Sequence, residues 1–302
     1  MSVLIVGSVA LDDIKTPFAE HKNLLGGSAS YGAVAASFFS PVRMVGVVGE
    51  DFPEEHMELL KKRGIDLGGL QKAAGRTFRW SGVYGPDWNS RETLSVELNV
   101  FETFRPELPD DYRRSPVVLL ANIAPDLQHM VLDQAEKPGF TIADTMDLWI
   151  NIARERLVEL LARVDMLILN DSEAKELAGE SNLVRAGHKL QAMGPRYVAV
   201  KKGEHGCLLF GDGGEFFACP AFPLEDVHDP TGAGDTFAGA LAGTVAAGGG
   251  PVDFALLRKA VVRGSVLASF NVEAFSLERV KTLTADDLDA RLEAFRRLTT
   301  FE

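Results

Sequence analysis

Short runs of Val, Ile and Leu recur along the chain and alternate with Ala-rich or amphipathic stretches, the pattern of a parallel sheet covered by helices on both faces. The apolar runs predict strands at 3–6, 42–48, 117–121, 140–143, 166–169, 197–200 and 207–210. The stretches between them predict helices at 28–39, 53–63, 127–135, 152–162, 173–178, 183–192, 234–247, 254–269 and 285–297. No internal repeat or low-complexity linker divides the chain, so one α/β domain is expected over 1–302.

Residues 78–101 break the alternation, with period-two residues, turn signals at Gly85-Pro86-Asp87 and Asn89-Ser90, and no helical pattern. They predict a β-flap inserted at about 76–103, with further lid contributions near 10–24. Such a flap serves as a lid that excludes water, as a dimer surface, or as both. Trp80 and Trp88 favour a contact role, although packing of the flap onto the body would also use them.

Composition narrows the function classes. A formal charge of −12 argues against a general nucleic-acid binder, which needs basic patches to displace counterions. Cys207 and Cys219 are the two cysteines, without Cys-x-x-Cys or Cys/His spacing, which suggests neither a disulfide framework nor a zinc site. No run approaches the ~20 apolar residues that span a bilayer, and the first residues lack the basic segment of a secretory signal. A cytoplasmic protein without membrane partners is expected.

The stretch Asp229-Pro230-Thr231-Gly232-Ala233-Gly234-Asp235-Thr236-Phe237 carries the strongest chemistry. With only hydrogen or methyl side chains at 232–234, backbone N–H groups converge on an anion at the start of a helix. Asp235 repels an anion, so it suits proton abstraction from an incoming hydroxyl better than phosphate binding. The competing reading makes Asp235 a helix cap and the glycines a tight turn. No Gly-x-x-x-x-Gly-Lys-Ser/Thr loop is present, and Phe237 stands where a dinucleotide fingerprint needs its last glycine.

Ligands of open parallel sheets collect outside the carboxyl ends of the strands. There the predicted strands lead to Asp12, Asn122, Asp144, Asn170 and Lys201-Lys202-Gly203. Each alone is an ordinary turn residue, but five in one topological place point to a site. Gly26-Gly27 ahead of Ser28-Ala29-Ser30-Tyr31 offers another close backbone approach, or a loop with a Ser cap.

Together these residues resemble the PfkB carbohydrate kinases, the ribokinase-like family of sugar and nucleoside kinases. Its C-terminal signature is similar to 229–237, its N-terminal one to Gly26-Gly27 and the helix after it, and its Asn-x-x-Glu motif to Asn170-Asp171-Ser172-Glu173. The resemblance implies a three-layer α/β/α fold with a mostly parallel central sheet and a small β-lid, and ATP and Mg²⁺ as cofactors. It makes Asp235 the general base and Gly232, Ala233 and Gly234 the anion hole. Asn170, Glu173, Lys201, Gly203, Gly206 and Thr231 fall on the nucleotide side, with Glu173 organising Mg²⁺ through water. Asp12, Gly26, Gly27, Tyr31, Asn122, Asp144 and Trp80 fall on the acceptor side. A monovalent cation such as K⁺ would sit at Asp229, Thr231 and backbone within 269–276, and a homodimer would form through the lid.

Two acceptor positions depart from the ribokinase pattern: Tyr31 replaces an Asn after Gly-Gly, and Ala10 an Asn near the first strand. Aromatic Tyr31, Trp80 and Trp88 suit a nucleobase, whereas Asp12, Asn122 and Asp144 suit a sugar or polyol. An ATP-dependent kinase of a sugar or polyol is expected, with a nucleoside kinase as the alternative. A catalytically silent binding module would have to lose Asp235, the Gly232–Gly234 turn or Glu173, and all are intact.

Overall fold

The computed structural model describes residues 1–85, 88 and 91–300. In chain order the strands are β1 (Val3–Val6), β2 (Ala10–Lys15), β3 (Glu20–Gly26), β4 (Val42–Val48), β5 (Ile65–Lys72), β6 (Phe78–Tyr84), β7 (Arg91–Glu97), β8 (Val117–Leu120), β9 (Phe140–Asp144), β10 (Met166–Asn170), β11 (Tyr197–Lys201), β12 (Cys207–Phe210) and β13 (Phe216–Cys219). The helices are α1 (Ser28–Ala36), α2 (Glu54–Lys62), α3 (Pro125–Gln134), α4 (Asp147–Ile152), α5 (Arg154–Leu161), α6 (Asp171–Ala178), α7 (Leu183–Gln191), α8 (Ala233–Gly248), α9 (Phe254–Asn271) and α10 (Ala285–Thr299).

Nine strands form the central sheet in the order β13-β12-β11-β10-β9-β8-β1-β4-β5. All neighbours pair in parallel except β11–β12 and β12–β13. Alternate residues of β1 face opposite layers: Val3 and Ile5 join one apolar core, Leu4 and Val6 the other. The first core is filled from α1, α2, α8, α9 and α10, the second from α3 to α7, which makes a three-layer α/β/α body. Because β1, β8, β9 and β10 are buried on both sides, uninterrupted apolar runs, not alternation, are what the sequence shows there.

The chain leaves β1 towards β4 and β5 and later returns to β1's other edge with β8. Such a reversal opens a crevice beyond the strand ends, where ligands enter open sheets. Gly7 stands at its floor. A Cβ there would lie 2.6 Å from Ser28 Oγ and 2.9 Å from the Ala121 methyl, so glycine lets the start of α1 close over β1 and β8.

The second sheet, β3-β2-β6-β7, draws on two separated segments. The expected hairpin is present as antiparallel β6 and β7, and β6 also pairs in parallel with β2. Asp12 therefore lies within β2 and not in a loop ending β1. Residues 86–87 and 89–90 of the expected turn signals lie outside the described residues.

Other differences have local causes. The helix expected at 152–162 is present as α5, and a further short helix, α4, precedes it, divided from it at Ala153, whose φ of −137° and ψ of 29° interrupt the turn. Strand β5 was hidden because Gly68 and Gly69 dilute its apolar run, and β13 because its Phe216 and Ala218 face solvent.

The two Ala-rich helices meet at backbone distance. A Cβ on Gly239 of α8 would stand 2.1 Å from the Gly32 carbonyl oxygen of α1, and one on Gly243 2.7 Å from that of Ala36. Neither contact can relax by a rotamer change. We expect Gly239→Ala to destabilise the protein by about 1–3 kcal/mol through overpacking, despite alanine's better helix propensity, as read by denaturant unfolding.

Candidate active site

The turn ahead of α8 is held from beneath. Gly232 occupies the left-handed region at φ 74° and caps α8. Asp229, fully buried, accepts from the Thr231 N–H at 2.9 Å and from the Ser276 N–H at 3.0 Å. Asn271 donates to the Thr231 carbonyl at 2.8 Å and accepts from the Thr236 hydroxyl at 3.0 Å. The Tyr31 ring presses against Gly232, where a Cβ would fall 2.3 Å from Cε1. The N–H groups that open α8 thus keep one orientation, at the positive end of a sixteen-residue helix. Asp235 stands half-buried in the first turn of that helix.

Beside the turn, Lys201 at the end of β11 extends to Gly234, its Nζ 3.0 Å from where a Cβ on that glycine would lie. It is 3.3 Å from both carboxylate oxygens of Asp144. Burial opposes its charge, yet Asp144, Glu173 and Asp235 overcome this and hold its pKa above the ordinary lysine range.

Asn170 and Glu173 form a reciprocal capping box at the start of α6: the Glu173 N–H donates to Asn170 Oδ1 at 2.8 Å and the Asn170 N–H to Glu173 Oε2 at 2.7 Å. Burial pushes the Glu173 carboxyl up to about 7, against Lys201 and the Asn170 N–H, which favour its charge. Glu173 is thus both helix cap and poised acid.

A largely apolar cavity of about 360 Å³ adjoins the turn, bordered by Gly203, Gly206, Phe222, Leu224, Ser269 and Val272, with Lys201 and Gly234 at one end. Gly206, at φ 83°, allows the β13 backbone to close in, since a Cβ would lie 2.0 Å from the Cys219 carbonyl oxygen. A polar, cationic end on an apolar slot fits the triphosphate and base of a nucleotide. For Mg²⁺, the described residues hold no cluster of three metal-ligating side chains. A single carboxylate such as Glu173 fits an ion that keeps most of its water.

Residues that the sequence resemblance puts on the acceptor side gather around Gly26 and Gly27. The Asp12 carboxylate covers Gly26, where a Cβ would fall 2.0 Å from Oδ2. Gly27, at φ 91°, tucks against the Ser8 carbonyl. Ser28 Oγ donates to the Asn122 carbonyl at 3.1 Å, and Asn122 Oδ1 accepts from the Trp149 indole N–H at 2.9 Å, which leaves the Asn122 amide hydrogens as its donors.

The lid reaches the site in two places. Thr231 Oγ1 donates to Tyr84 Oη at 3.1 Å, and Trp88 borders the same cavity while its ring lies tilted against Phe18, centroids 5.7 Å apart.

The structure places Lys201, Gly203, Gly206, Ala233 and Gly234 on one cavity, with Thr231 and Gly232 leading into that turn and Asp235 following it. Asp144, Glu173 and Asp235 act on the Lys201 ammonium, Asn170 pairs with Glu173, Asp12 lies over Gly26 beside Gly27, and Asn122 is tied to Ser28. Tyr31 is 1% exposed, so its ring supports the turn from inside and does not face an acceptor. Trp80 folds over Gly82 and donates to Thr93 Oγ1 at 3.3 Å, within the lid itself. Tyr84, Trp149 and Asn271 were missed by sequence reasoning. Asn271 had a signal, a polar residue closing an apolar helical run, whereas Tyr84 and Trp149 carry none without the fold.

Comparison with known proteins accords with this geometry. The model of the pfkB family carbohydrate kinases matches residues 115–281, more than half of the chain. The chain belongs to this family. As a PfkB-family kinase it is similar to a cytidine kinase of Thermococcus kodakarensis, 28% identical over 246 residues, covering 79% of this chain and 86% of the relative. It is also similar to a ribokinase of Lactococcus lactis, 27% identical over 265 residues, with 80% and 82% covered. A nucleoside kinase of Burkholderia thailandensis, solved in complex with inosine, shares the fold at a TM-score of 0.80 and 19% identity, with 97% of each chain covered. Among the described residues no helix is long and apolar enough to cross a membrane.

The Glu173 position makes a pH prediction. Its folded pKa of about 7 exceeds the ordinary 4.5, so the folded state binds this proton more tightly. The stability this contributes is complete below the unfolded pKa and is lost as pH rises through 7. We expect Glu173→Gln, which keeps the capping geometry, to gain stability relative to the parent between pH 5 and pH 8, as followed by urea unfolding at each pH.

Proposed function

We propose that this PfkB-family kinase transfers the terminal phosphoryl group of ATP to a hydroxyl of a ribose-bearing nucleoside. The observation that carries the phosphotransfer reading is Asp235 in the first turn of α8, one residue beyond a backbone anion hole locked by Asp229, Asn271 and Tyr31. ATP supplies the phosphoryl group and Mg²⁺ neutralises its charge when both are bound. Asp235 accepts the acceptor's proton, the N–H groups at 232–234 receive the transferring oxygens, and Lys201 adds a cation beside them. Asn170 and Glu173, paired in the capping box, would hold Mg²⁺ through water, and Gly203 and Gly206 would admit the nucleotide.

The nucleoside class is supported by the cytidine kinase relative, matched along most of its length, and by the Trp149 indole anchored on the acceptor rim. Asp12, with two carboxylate oxygens over Gly26, suits a pair of sugar hydroxyls, so a free pentose is the second reading, supported by the ribokinase relative. Asp229, which accepts from the Thr231 and Ser276 N–H groups and interacts with the Thr231 hydroxyl, suits a monovalent cation such as K⁺ beside Thr231. The outer face of the lid exposes Leu94 and Val96 at 57% and 53%, which suits a homodimer through that sheet.

An ADP-release screen over nucleosides, pentoses and polyols, with product mass, tests the assignment; turnover of pentoses with none of nucleosides would reverse our order. Asp235→Asn should lower kcat by roughly 10²–10⁴-fold with little change in ATP affinity, and a near-normal kcat would remove the base. Light scattering should give twice the chain mass, falling to one chain in a Leu94→Glu, Val96→Glu variant.

A further inference from the structure

Two buried charged groups next to the anion hole are joined in a way that simple nucleotide contact does not require. Lys201 and Asp144 stand on β11 and β9, with β10 between them, so the carboxylate reaches across an intervening strand end to the ammonium. Their side chains are 18% and 4% exposed. Burying such a pair costs desolvation that its attraction does not always recover, and an apolar pair would fill the space without that cost.

Asp144 is fixed on both sides. Its Oδ1 accepts from the Thr145 N–H at 3.0 Å, and its carbonyl accepts from the Gln128 amide at 3.0 Å. The same Gln128 amide also donates to Leu120 and Ala121 at the end of β8, tying Asp144 to the floor of the crevice. Glu173 already receives the Asn170 N–H, and Asp235 adds to the attraction on the ammonium, but Asp144 is the carboxylate with both oxygens 3.3 Å from it. An ammonium has three donors in a fixed tetrahedral arrangement. With Asp144 holding one side, the ammonium lies against Gly234, where a Cβ would stand 3.0 Å from Nζ.

We propose that Asp144 is a positioning residue for phosphoryl transfer: it holds the Lys201 ammonium at Gly234, so that the anion hole contains a side-chain cation as well as backbone N–H groups. The proposal rests on the phosphotransfer reading above and assigns Asp144 to the phosphate side of the site instead of the acceptor. Removal of either member should therefore slow the chemical step and spare acceptor binding.

The test is a double-mutant cycle of steady-state kinetics on the full chain, with an acceptor that the wild type phosphorylates. Lys201→Met should lower kcat by about 10²-fold, the scale of one oriented donor lost from such a hole, with acceptor KM within twofold. Asp144→Asn should lower kcat about tenfold, one order in rate, and the double variant should be no slower than Lys201→Met alone. Lys201→Arg should recover part of the loss, since it restores the charge. The proposal is overturned if Asp144→Asn raises acceptor KM at unchanged kcat, or if the two losses multiply in the double variant. It is equally overturned if Asp144→Asn lowers only the unfolding temperature. Should Asp144→Asn fail to fold, the double variant, which buries no unpaired charge, keeps the comparison with Lys201→Met. Absence of turnover in the wild type with every acceptor would instead refute the phosphotransfer reading.

Discussion

The site depends on one buried carboxylate. Asp229 lies at the foot of the turn before α8 and binds Thr231 on one side and Ser276 on the other. Burial raises its pKa, against the Thr231 hydroxyl, the Ser276 and Thr231 N–H groups and His21, which favour its charge. In return the turn is tied to the segment after α9, which otherwise would have no reason to follow it. Asn271 and Thr236 repeat the link a few ångströms away, and Tyr31 closes it from α1. Three helices thus converge on a single peptide turn, and its N–H groups need no reorganisation when an anion arrives.

Much of the body was legible because physics writes it locally. Strands such as β1 and β10, buried on both faces, are uninterrupted apolar runs, and α1 and α8 announce themselves by alanine and glycine. Phosphate chemistry was legible for a similar reason: only glycine tolerates φ near 74° against a tyrosine ring. The second sheet was only half legible. The β6–β7 hairpin has a local turn signal, but its parallel partner β2 is more than sixty residues away, and no local pattern reports that pairing.

Side-chain roles were least legible where a residue acts through another. Tyr31 and Trp80 read as candidate ligand contacts because both are aromatic near a site, yet one lies under the turn and the other on its own sheet. Asp144 ends a strand beside the acceptor rim in sequence, and only the sheet order shows that Lys201 stands two strands away. Trp149 follows from neither composition nor spacing, because its partner Asn122 is brought to it by the pairing of β8 with β9.

The contact between Gly32 and Gly239 has a consequence for how such a protein changes over time. The helix that follows Gly26-Gly27 and the helix whose first turn holds Asp235 touch through backbone, so neither can slide without parting from the other. Changes of substrate preference would then fall on the lid strands and on elements such as α4, which carries Trp149, and not on this seam. A lineage of such enzymes would keep its small residues at this seam while its acceptors changed.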